Sequence, residues 1–518
     1  MDNEKDLSTI IGENINQIKS ELGESKDFLI RELEIKTKKT NLRLAVLYIN
    51  ELADDNKLNS LSFQLTELIN TLNYNNQNTL EKDELTAENI FIRLKTALSS
   101  NFIITEGSDY ETVCSQILSG NTVILIDGYD KFIFLYTYGP KGRNITEPTS
   151  QTIIRGPKDA FTEKIELNIS QIRRKIKDKS VKIENMSIGS ITRTNVAVIY
   201  LENIARPEII NEIMSRLQQI TIDGILDSGY IEELIKDDHN SVFPTFLNSE
   251  KPDSVVAGLL EGKVAILVDG SPYVLTAPAM FVDFFNVSED HYHHFLISSM
   301  TRLFRAISFF LTLLVPSTYI ALTLFHPEMI PTTLLVSLAA QREGVPFPVF
   351  FEAIMMELTF EVLREAGIRM PRAIGQAISI VGALVLGQSA VQAGIFSAVV
   401  VIIVSITAIS SFAIPNYSMA NAIRLLRFIL MILSATFGLF GICIGLIVLY
   451  IHLCKMKSIG VPYMSPFSPK LENENKDTIV RFPLWKMRYR PSSTSKTNKP
   501  RIVDQPVRSG IEEKQEFV

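Results

Sequence analysis

Hydrophobic positions follow two different patterns along this chain. Before about residue 290, short apolar runs of strand length alternate with segments of mixed polarity and with turn residues, a pattern typical of a mixed αβ domain. From Leu303 to Leu453 the apolar runs approach the roughly 20 residues that a membrane helix needs. The pattern predicts an α+β soluble head followed by an all-α polytopic membrane domain.

The head contains an internal repeat. The matching stretches are GNTVILIDG (120–128) with GKVAILVDG (262–270), and LAVLYINELA (44–53) with VAVIYLENIA (196–205). Such self-similarity indicates two copies of one structural unit, and the polar run Asn73–Asn89 is the candidate for an insertion in the first copy. We therefore predict two similar αβ subdomains in tandem, residues 26–150 and 151–290.

An Asp-Gly pair ends the second predicted strand of each copy, Asp127-Gly128 in the first and Asp269-Gly270 in the second. Glycine permits a positive φ, so these pairs are typical of tight turns. We interpret them as turns and not as catalytic residues. The cleft between the copies remains open as a small-molecule site.

Residues 1–25 are predicted to form a separate polar N-terminal helix. Its apolar residues are spaced four, three and four apart and make one helical stripe. They are Ile11, Ile15, Ile18 and Leu22. The stripe favours a helix packed on the head, with self-association or contact with a partner as the alternative.

The predicted membrane domain, residues 291–455, contains four apolar stretches and one ambiguous segment. The four candidate spans are Leu303–Phe325, Ala373–Ala393, Phe396–Ile414 and Leu425–Leu453. The segment Thr332–Ala366 mixes apolar and charged residues, so it is interfacial, re-entrant or a fifth crossing.

Basic residues near the span ends predict the orientation, because cytoplasmic flanks are enriched in Lys and Arg. The flanking residues are Arg302 and Arg305 before the first span, and Lys455 and Lys457 after the last. Both termini are therefore expected in the cytoplasm, with an even number of crossings. Arg424 and Arg427 oppose this scheme, so either they are buried with acidic partners or the topology is more complicated.

A row of acids provides the candidate functional residues. Glu357, Glu361 and Glu365 repeat every four residues, and acids at membrane depth are costly and commonly functional. In an oligomer they would form rings that attract cations. The alternative is internal pairing with nearby arginines. The candidate partners are Arg342, Arg364, Arg369, Arg372, Arg424 and Arg427.

Amides and glycines in the apolar stretches add further candidates. Gln388 and Gln392 lie on one side of the second predicted span and are additional candidates for a cation path. Small residues let helices approach closely. The candidate packing positions are Gly387, Gly394, Gly441 and Gly445.

Charge and motifs exclude several classes of function. The net charge is −6, yet the tail from Lys455 onward has 13 Lys/Arg against 7 Asp/Glu. The rest is therefore acidic, which argues against nucleic-acid binding. The sequence shows no GxSxG, no HExxH and no Cys/His metal spacing, so we expect no enzyme activity, cofactor or metal. The three cysteines are expected to be free thiols.

The predicted tail, residues 456–518, is basic and partly disordered. Ser492–Pro500 is expected to be disordered because it offers nothing apolar to bury. Trp485, flanked by basic residues, is expected at the cytoplasmic lipid surface or on the head. The N-terminus has no apolar region of signal-peptide type, so the first span is expected to direct insertion.

Long stretches of this sequence resemble the A subunits of the GerA family of spore germinant receptors. They are ILDSGYIEELI (225–235), FPTFLNSEKPD (243–253), LLEGKVAILVDGSPYVL (259–275), EMIPTTLLVSLAAQREGVPFP (328–348), MELTFEVLREAGIRMPRAIGQAISIVGALVLGQSAVQAG (356–394), IPNYSMANAIRLLRF (414–428) and GVPYMSP (460–466). The first subdomain matches more loosely.

The resemblance implies a location and partners. It implies the inner membrane of bacterial endospores, a transporter-like B subunit that binds the nutrient, and a lipoprotein C subunit. It also implies a homo-oligomeric ring, expected to be a pentamer, that acts as a nutrient-gated cation channel. The alternative is a transporter or scaffold subunit that transmits the nutrient signal without forming the pore.

Overall fold

The computed structural model describes most of the chain in two compact units. The described residues are 6–22, 25, 27–36, 41–50, 52–78, 86–139, 147–148, 151–369, 387–470, 477–496 and 501. The first unit consists of Met1–Ile235, Asn248–Pro278 and Arg490–Lys499. The second consists of Lys236–Leu247, Ala279–Tyr489 and Pro500–Val518.

The first subdomain is an antiparallel sheet between two layers of helices. Its elements are α1 (Ile11–Leu22), β1 (Phe28–Lys36), β2 (Asn41–Ile49), α2 (Asp55–Asn78), α3 (Ala87–Leu98), β3 (Ile104–Gly107), α4 (Tyr110–Leu118), β4 (Thr122–Ile126) and β5 (Phe132–Leu135). The strand order is β1-β2-β4-β5-β3. One face of the sheet packs on α1 and α4, and the other packs on α2 and α3.

The second subdomain repeats this arrangement. Its elements are α5 (Ile165–Lys175), β6 (Val181–Ile188), β7 (Thr194–Leu201), α6 (Pro207–Gln218), α7 (Ser228–Ile235), β8 (Leu247–Ser249), α8 (Pro252–Leu260), β9 (Val264–Val268) and β10 (Val274–Ala277). The strand order is β6-β7-β9-β10-β8, with each strand in the place of its counterpart.

The register of the central strands confirms the duplication. Leu44 pairs with Ile126 in the first sheet, and their counterparts Val196 and Val268 pair in the second. Register is a specific property, because a slip of one residue would turn every side chain to the opposite face. The two copies therefore share one fold and not merely similar strands.

The N-terminal helix α1 packs its apolar stripe on the first subdomain. The side chain of Asp127 accepts a hydrogen bond from the backbone N–H of Ile11 at the start of α1 (3.1 Å). Asp269 does the same for Ile165 at the start of α5 (3.3 Å). A carboxylate at a helix N-terminus satisfies an unpaired N–H and complements the helix dipole. The Asp-Gly pairs therefore anchor equivalent helices in both copies.

The second unit is built from helices. They are α9 (Phe295–Leu324), α10 (Thr332–Arg342), α11 (Val349–Arg369), α12 (Ala398–Phe412) and α13 (Tyr417–Lys455), followed by the small hairpin β11 (Lys457–Ser458) and β12 (Val461–Pro462). Among the described helices, α9 and α13 are long and apolar enough to cross a membrane, and α12 is apolar but shorter. The predicted span Ala373–Ala393 lies outside the described residues up to residue 386.

Helix α13 is two antiparallel halves, whereas the sequence predicted one span over Leu425–Leu453. Gly438 has a positive φ of 61° and interrupts the helix. A side chain at Gly441 would overlap the carbonyl of Leu433, and one at Gly445 would overlap Leu430. In a straight helix, Gly445 and Leu430 would lie about 22 Å apart. The two halves of α13 therefore run in opposite directions, as in a helical hairpin.

The hairpin begins and ends at the same end of the second unit. Its tip at Gly438 packs on Phe325, just after α9. At the other end, Arg305 near the start of α9 donates to a carbonyl in the turn Phe281–Phe285 (3.2 Å). The first N–H of that turn donates to the carbonyl of Tyr463, shortly after α13 (2.9 Å). The start of α9 and the end of α13 therefore meet the same turn.

Part of the tail is ordered, contrary to the prediction for Ser492–Pro500. Thr494 and Ser495 are buried in the first unit, and Ser495 forms an isolated β-bridge with Ala205. The prediction was wrong for residues 492–496 because backbone hydrogen bonds, and not apolar side chains, hold this segment. Residues 497–500 lie outside the described part of the chain.

Candidate functional site

A buried ion cluster joins α11 to the first half of α13. Arg427 Nη2 lies 2.9 Å from Glu357 Oε2 and 3.2 Å from Glu361 Oε1. Arg424 Nη1 lies 3.5 Å from Glu361 Oε2. The contacting residues follow one another in opposite order along α11 and α13, so the two segments are antiparallel. The pairing with arginines that the sequence left open is present for all three acids of the row, within this cluster for Glu357 and Glu361 and with Arg369 for Glu365.

The contact between Glu357 and Arg427 is deeply buried but poorly hydrogen-bonded. Their side chains are 0% and 1% exposed. Within the described part of the chain, neither carboxylate oxygen of Glu357 has a hydrogen-bond partner, and neither does Arg427 Nε. An ion pair offsets its desolvation cost only when hydrogen bonds satisfy the remaining polar atoms. This contact is therefore electrostatically matched but incompletely satisfied.

Glu361 is the centre of the cluster. Its Oε2 accepts hydrogen bonds from Arg364 Nε (3.0 Å) and Nη2 (2.5 Å) on the same helix. With Arg424 and Arg427, three guanidinium groups surround two carboxylates. In this conformation the cluster has a net positive charge, so Glu357 and Glu361 are neutralised rather than free to attract a cation.

Glu365 differs from the other two acids because it is open to the surroundings. Its side chain is 52% exposed and pairs with Arg369 one turn on (2.7 Å). Such exposed pairs between helix neighbours contribute little to stability. The acidic row therefore runs from a buried end at Glu357 to an exposed end at Glu365.

A second buried acid, Glu352, was missed in the sequence. Its side chain is 0% exposed, and Oε1 accepts a hydrogen bond from the backbone N–H of Ser397 (2.6 Å). Oε2 lies 3.6 Å from Arg342 Nε. Ser397 is also the N-cap residue of α12, bonded to the N–H of Val400 (3.4 Å). Glu352 therefore links α10, α11 and α12. The available signal in the sequence was an acid in the first turn of an apolar helix.

The candidate amides and glycines lie in different surroundings. Gln388 and Gln392 are exposed on the described chain. A side chain at Gly387 would meet nothing within 4 Å, while Gly394 adopts a φ of 67° beside the carbonyl of Gly344. Gly394 therefore serves a turn. Gly441 and Gly445, in contrast, lie between the two halves of the α13 hairpin.

A third set of buried charges lies at the start of α9. Arg302 donates to Asp290 (2.9 Å) and to Asp477 in the tail (2.8 Å), and Arg305 also donates to Asp290 (2.8 Å). Burial alone would raise the pKa of Asp290, but Arg305 and Arg302 outweigh it and hold that pKa below its usual range. His291 and Arg302 likewise lower the pKa of Asp477 despite burial. The tail is thus fastened to the beginning of α9.

Aromatic and histidine residues surround this third set. Trp485 is largely exposed, and its ring meets Phe295, the first residue of α9, edge to face at 6.1 Å. His291 lies 3.1 Å from Asp477, and His293 lies 3.3 Å from Glu289. Within the described residues, no group of three His, Cys, Asp or Glu side chains is arranged to hold a metal ion.

A buried ion pair joins the two subdomains of the first unit. Arg173 on α5 donates from Nε and Nη2 to the two carboxylate oxygens of Asp27, both at 3.0 Å. Arg173 also donates to Ser25 (3.0 Å), which in turn donates to Asp27. A bidentate arginine–carboxylate pair is both strong and geometrically specific.

Comparison with known proteins identifies relatives along nearly the whole chain. The family model described as Bacillus/Clostridium GerA spore germination protein matches residues 16–493. Spore germination protein KA of Bacillus subtilis strain 168 is 45% identical over 497 residues, which cover 96% of this chain and 88% of the relative.

Two more relatives and a solved structure extend the comparison. Spore germination protein GerLA of Bacillus cereus is 38% identical over 92% of this chain and 94% of its own. Spore germination protein A1 of Bacillus subtilis is 38% identical over 88% and 90%. The crystal structure of the N-terminal domain of the A subunit of the Bacillus megaterium spore germinant receptor GerK3 aligns at 31% identity, covering 54% of this chain and 99% of that one, with a TM-score of 0.41.

Proposed function

The chain belongs to the GerA family of Bacillus/Clostridium spore germination proteins, and on that premise we propose that it is the A subunit of a nutrient germinant receptor and forms an oligomeric, nutrient-gated cation channel. Its partners in this proposal are a transporter-like B subunit that binds the nutrient and a lipoprotein C subunit. Its site of action is the spore inner membrane, and its assembly is a ring of copies, a pentamer.

The arrangement of the second unit supports a multi-pass protein with both termini in the cytoplasm. If α9 and each half of α13 cross the bilayer, the start of α9 and the end of α13 lie on one side, since both meet the turn Phe281–Phe285. That side carries Arg302, Arg305, Lys455 and Lys457, and cytoplasmic flanks are enriched in basic residues. Arg424 and Arg427 then lie inside the bundle and no longer oppose this orientation.

The observation that carries the channel proposal is the incompletely bonded contact between Glu357 and Arg427. Ionisable groups inside a helix bundle are costly, so their presence indicates a function. In this conformation, arginines neutralise Glu357 and Glu361. We take it as the closed form, and opening moves α11 relative to α13 and uncovers the two carboxylates.

The exposed polar residues complete the proposed cation path. Glu365, Gln388 and Gln392 are exposed on the single chain. In a ring of copies, carboxylates and amides repeated around the axis would replace part of a cation's hydration shell and exclude anions. The opposite face of α11 is apolar and exposed, as expected for a surface against lipid or a neighbouring copy. Its residues are Phe351, Met355, Leu358 and Val362.

A second candidate function is signal transmission without a pore. The excess of arginine over glutamate in the cluster favours it, because a net positive cluster repels cations. On this alternative, the cluster fastens α11 to α13, and the protein passes the nutrient signal to a pore formed by another subunit.

The test replaces the acidic row by amides of nearly the same size. Spores that carry Glu357→Gln, Glu361→Gln and Glu365→Gln together are exposed to the nutrients that trigger the parental spores, and release of monovalent cations is followed. The channel proposal expects slower release with the protein present in the membrane at its normal level. Glu343→Gln, an exposed acid outside the row, is the matched control and should release cations normally.

Unchanged release in the triple variant, with normal assembly, would make the row structural. The cation path would then lie elsewhere, with Gln388 and Gln392 as the next residues to replace. The alternative function is supported if variants of both sets leave cation release intact.

A further inference from the structure

The edge of the second subdomain is completed by the chain's own tail. Ser495 forms an antiparallel β-bridge with Ala205, which follows β7. Two backbone hydrogen bonds flank this bridge, from Arg206 N–H to the Thr494 carbonyl (3.3 Å) and from Lys496 N–H to the Ile204 carbonyl (2.7 Å). Directly before the bridge, the tail forms a turn in which the Ser495 N–H donates to the Pro491 carbonyl (3.1 Å). The tail therefore binds through one β-bridge residue that follows a turn, even though the whole helical unit separates it from the subdomain in the sequence.

Side chains and a glycine shape the place where the tail binds. Thr494 is fully buried, and its hydroxyl donates to the carbonyl of Glu261 (2.6 Å). Gly262 has a φ of 90°, and a Cβ there would lie 2.7 Å from the Thr494 carbonyl oxygen. Arg490 Nε donates to the carbonyl of Leu260 (2.9 Å). The loop before β9 is thus fitted to a peptide backbone.

The first subdomain has an equivalent position at its edge, but there the segment that directly follows β5 occupies it. Ala53, the counterpart of Ala205, forms an antiparallel bridge with Tyr138. Asp54 N–H donates to the carbonyl of Thr137 (3.0 Å), as Arg206 does to that of Thr494. Thr137 is also fully buried. Both copies therefore place a buried threonine at the centre of the segment.

The second subdomain has no such segment directly after β10, because the chain passes there into the second unit. The offset of the repeat makes Ala279 the counterpart of Thr137. Ala279, however, belongs to the second unit, where its N–H donates to the Ser458 hydroxyl (2.9 Å). Without another segment, the carbonyl of Ile204 and the N–H of Arg206 would lose these hydrogen bonds.

We propose that Ile204–Arg206 and Glu261–Gly262 form a β-edge peptide-binding site on the second subdomain, and that Arg490–Lys496 is its resident, releasable occupant. The ligand class is a short segment in which a turn leads into one β-bridge residue, with a threonine at the buried position just before the bridge. In this kind of recognition, main-chain hydrogen bonds give affinity and one side-chain position gives specificity. The occupant has no large apolar side chain to anchor it, which makes it exchangeable.

Cysteine pairs in the full chain test the docked state. The bridge partners Ala205 and Ser495 are flanked by hydrogen bonds but do not bond each other, and such pairs have Cα atoms about 4.5 Å apart, within disulfide range. In a background without Cys114, Cys443 and Cys454, we expect Ala205→Cys with Ser495→Cys to cross-link on mild oxidation.

Two further pairs calibrate this result. Ala53→Cys with Tyr138→Cys, the equivalent pair in the first subdomain, should cross-link to a similar extent. Ala53→Cys with Ser495→Cys joins the tail to the wrong copy and should cross-link about tenfold less, because cysteines held apart cannot adopt disulfide geometry. Equal cross-linking of the matched and mismatched tail pairs would overturn the proposal.

A peptide tests whether the occupant is releasable. A chain that ends after Tyr489 should bind a fluorescent peptide of residues 490–499 saturably, and the same peptide with Thr494→Lys should not bind. The intact chain should bind the peptide about tenfold more weakly or less, because its own tail competes at high effective concentration. Equal binding of both peptides, or equal binding by both chains, would contradict the proposal. If the shortened chain does not fold, the intact chain with Thr494→Lys serves as the open form.

Discussion

The two units of this protein each contain a buried arginine–carboxylate contact, and the two contacts are built differently. In the first unit, Arg173 and Asp27 form a bidentate pair, with Ser25 as an additional partner. In the second, Arg427 and Glu357 are equally buried, but both oxygens of Glu357 lack hydrogen-bond partners in the described chain. Both contacts join parts of the chain distant in sequence.

The difference in hydrogen bonding indicates different roles for the two buried contacts. A pair with all its hydrogen bonds resists any relative motion of the parts that it joins, because motion would leave charges uncompensated. A pair matched in charge but short of hydrogen bonds loses less when it separates. The first contact is suited to fasten two subdomains permanently, and the second is suited to an element that has two arrangements.

Removing Arg173 should have the largest effect on stability. Arg173→Met leaves the carboxylate of Asp27 buried without its partner, and we expect a loss of about 3–5 kcal/mol in the stability of the first unit. The measurement is the thermal midpoint at which that unit becomes protease-sensitive in the full chain. Lys19→Met is the control, because Lys19 is the exposed counterpart of Arg173 on α1. Similar midpoints for the two variants would remove the fastening role.

Amide replacements compare the two contacts directly. Asp27→Asn should cost about 1.5–3 kcal/mol, because it weakens hydrogen bonds to a charged group. Glu357→Gln should cost less than about 1 kcal/mol, because among the described residues Glu357 has no such bonds to lose and Arg427 keeps Glu361 as a partner. Unfolding monitored unit by unit in the full chain gives both values. A larger loss for Glu357→Gln than for Asp27→Asn would reverse the comparison.

The charges at the start of α9 should produce the smallest effect, visible only in acid. The pKa of Asp290 and Asp477 is lowered in the folded protein. Their contribution is therefore fully present above the usual carboxyl pKa of about 4 and is lost as the pH falls through the lowered values. Tail segment 477–482 should resist protease at neutral pH and become accessible in stronger acid. Asp477→Asn should remove most of this pH dependence, and an unchanged acid transition would contradict the assignment.

The repeat was predictable because strands leave a periodic signal in the sequence. The pairs around Asp127 and Asp269 occupy equivalent positions, as the two matching stretches predicted. The place of α1 was not predictable, since an apolar stripe shows that a helix packs but not on which surface. The role of each Asp as a helix anchor depends on a partner more than a hundred residues away.

The hairpin in α13 and the docked tail were missed for physical reasons. Gly438 lies in an uninterrupted apolar run. In the sequence of such a run, a glycine that will adopt a positive φ cannot be distinguished from a glycine that lets helices pack closely. The length of Tyr417–Lys455, about twice what one crossing needs, was the available signal. The tail gives no hydropathy signal, because backbone groups and a buried threonine hold it.

The candidate site was predictable as a set of residues but not in its pairing. The sequence showed that Glu357 and Glu361 share a face, and it left two alternatives for Arg424 and Arg427, burial with acidic partners or a more complicated topology. It could not show that α11 runs antiparallel to the first half of α13, which brings these charges together. Glu352 escaped notice because it lies outside the four-residue spacing of the row.

Exchanging the charges of Glu357 and Arg427 tests the central claim most directly, namely that their contact controls nutrient-triggered cation release. Spores that carry Glu357→Arg, Arg427→Glu or both changes are compared at equal protein levels in the membrane. Each single change places like charges together and should abolish release. The exchanged pair restores the contact but has an arginine where the proposed path has Glu357, so it should recover only part of the release, with Glu361 and Glu365 still in the row. Release that is lost equally in all three variants, despite normal protein levels, would contradict a role for the contact between these two charges.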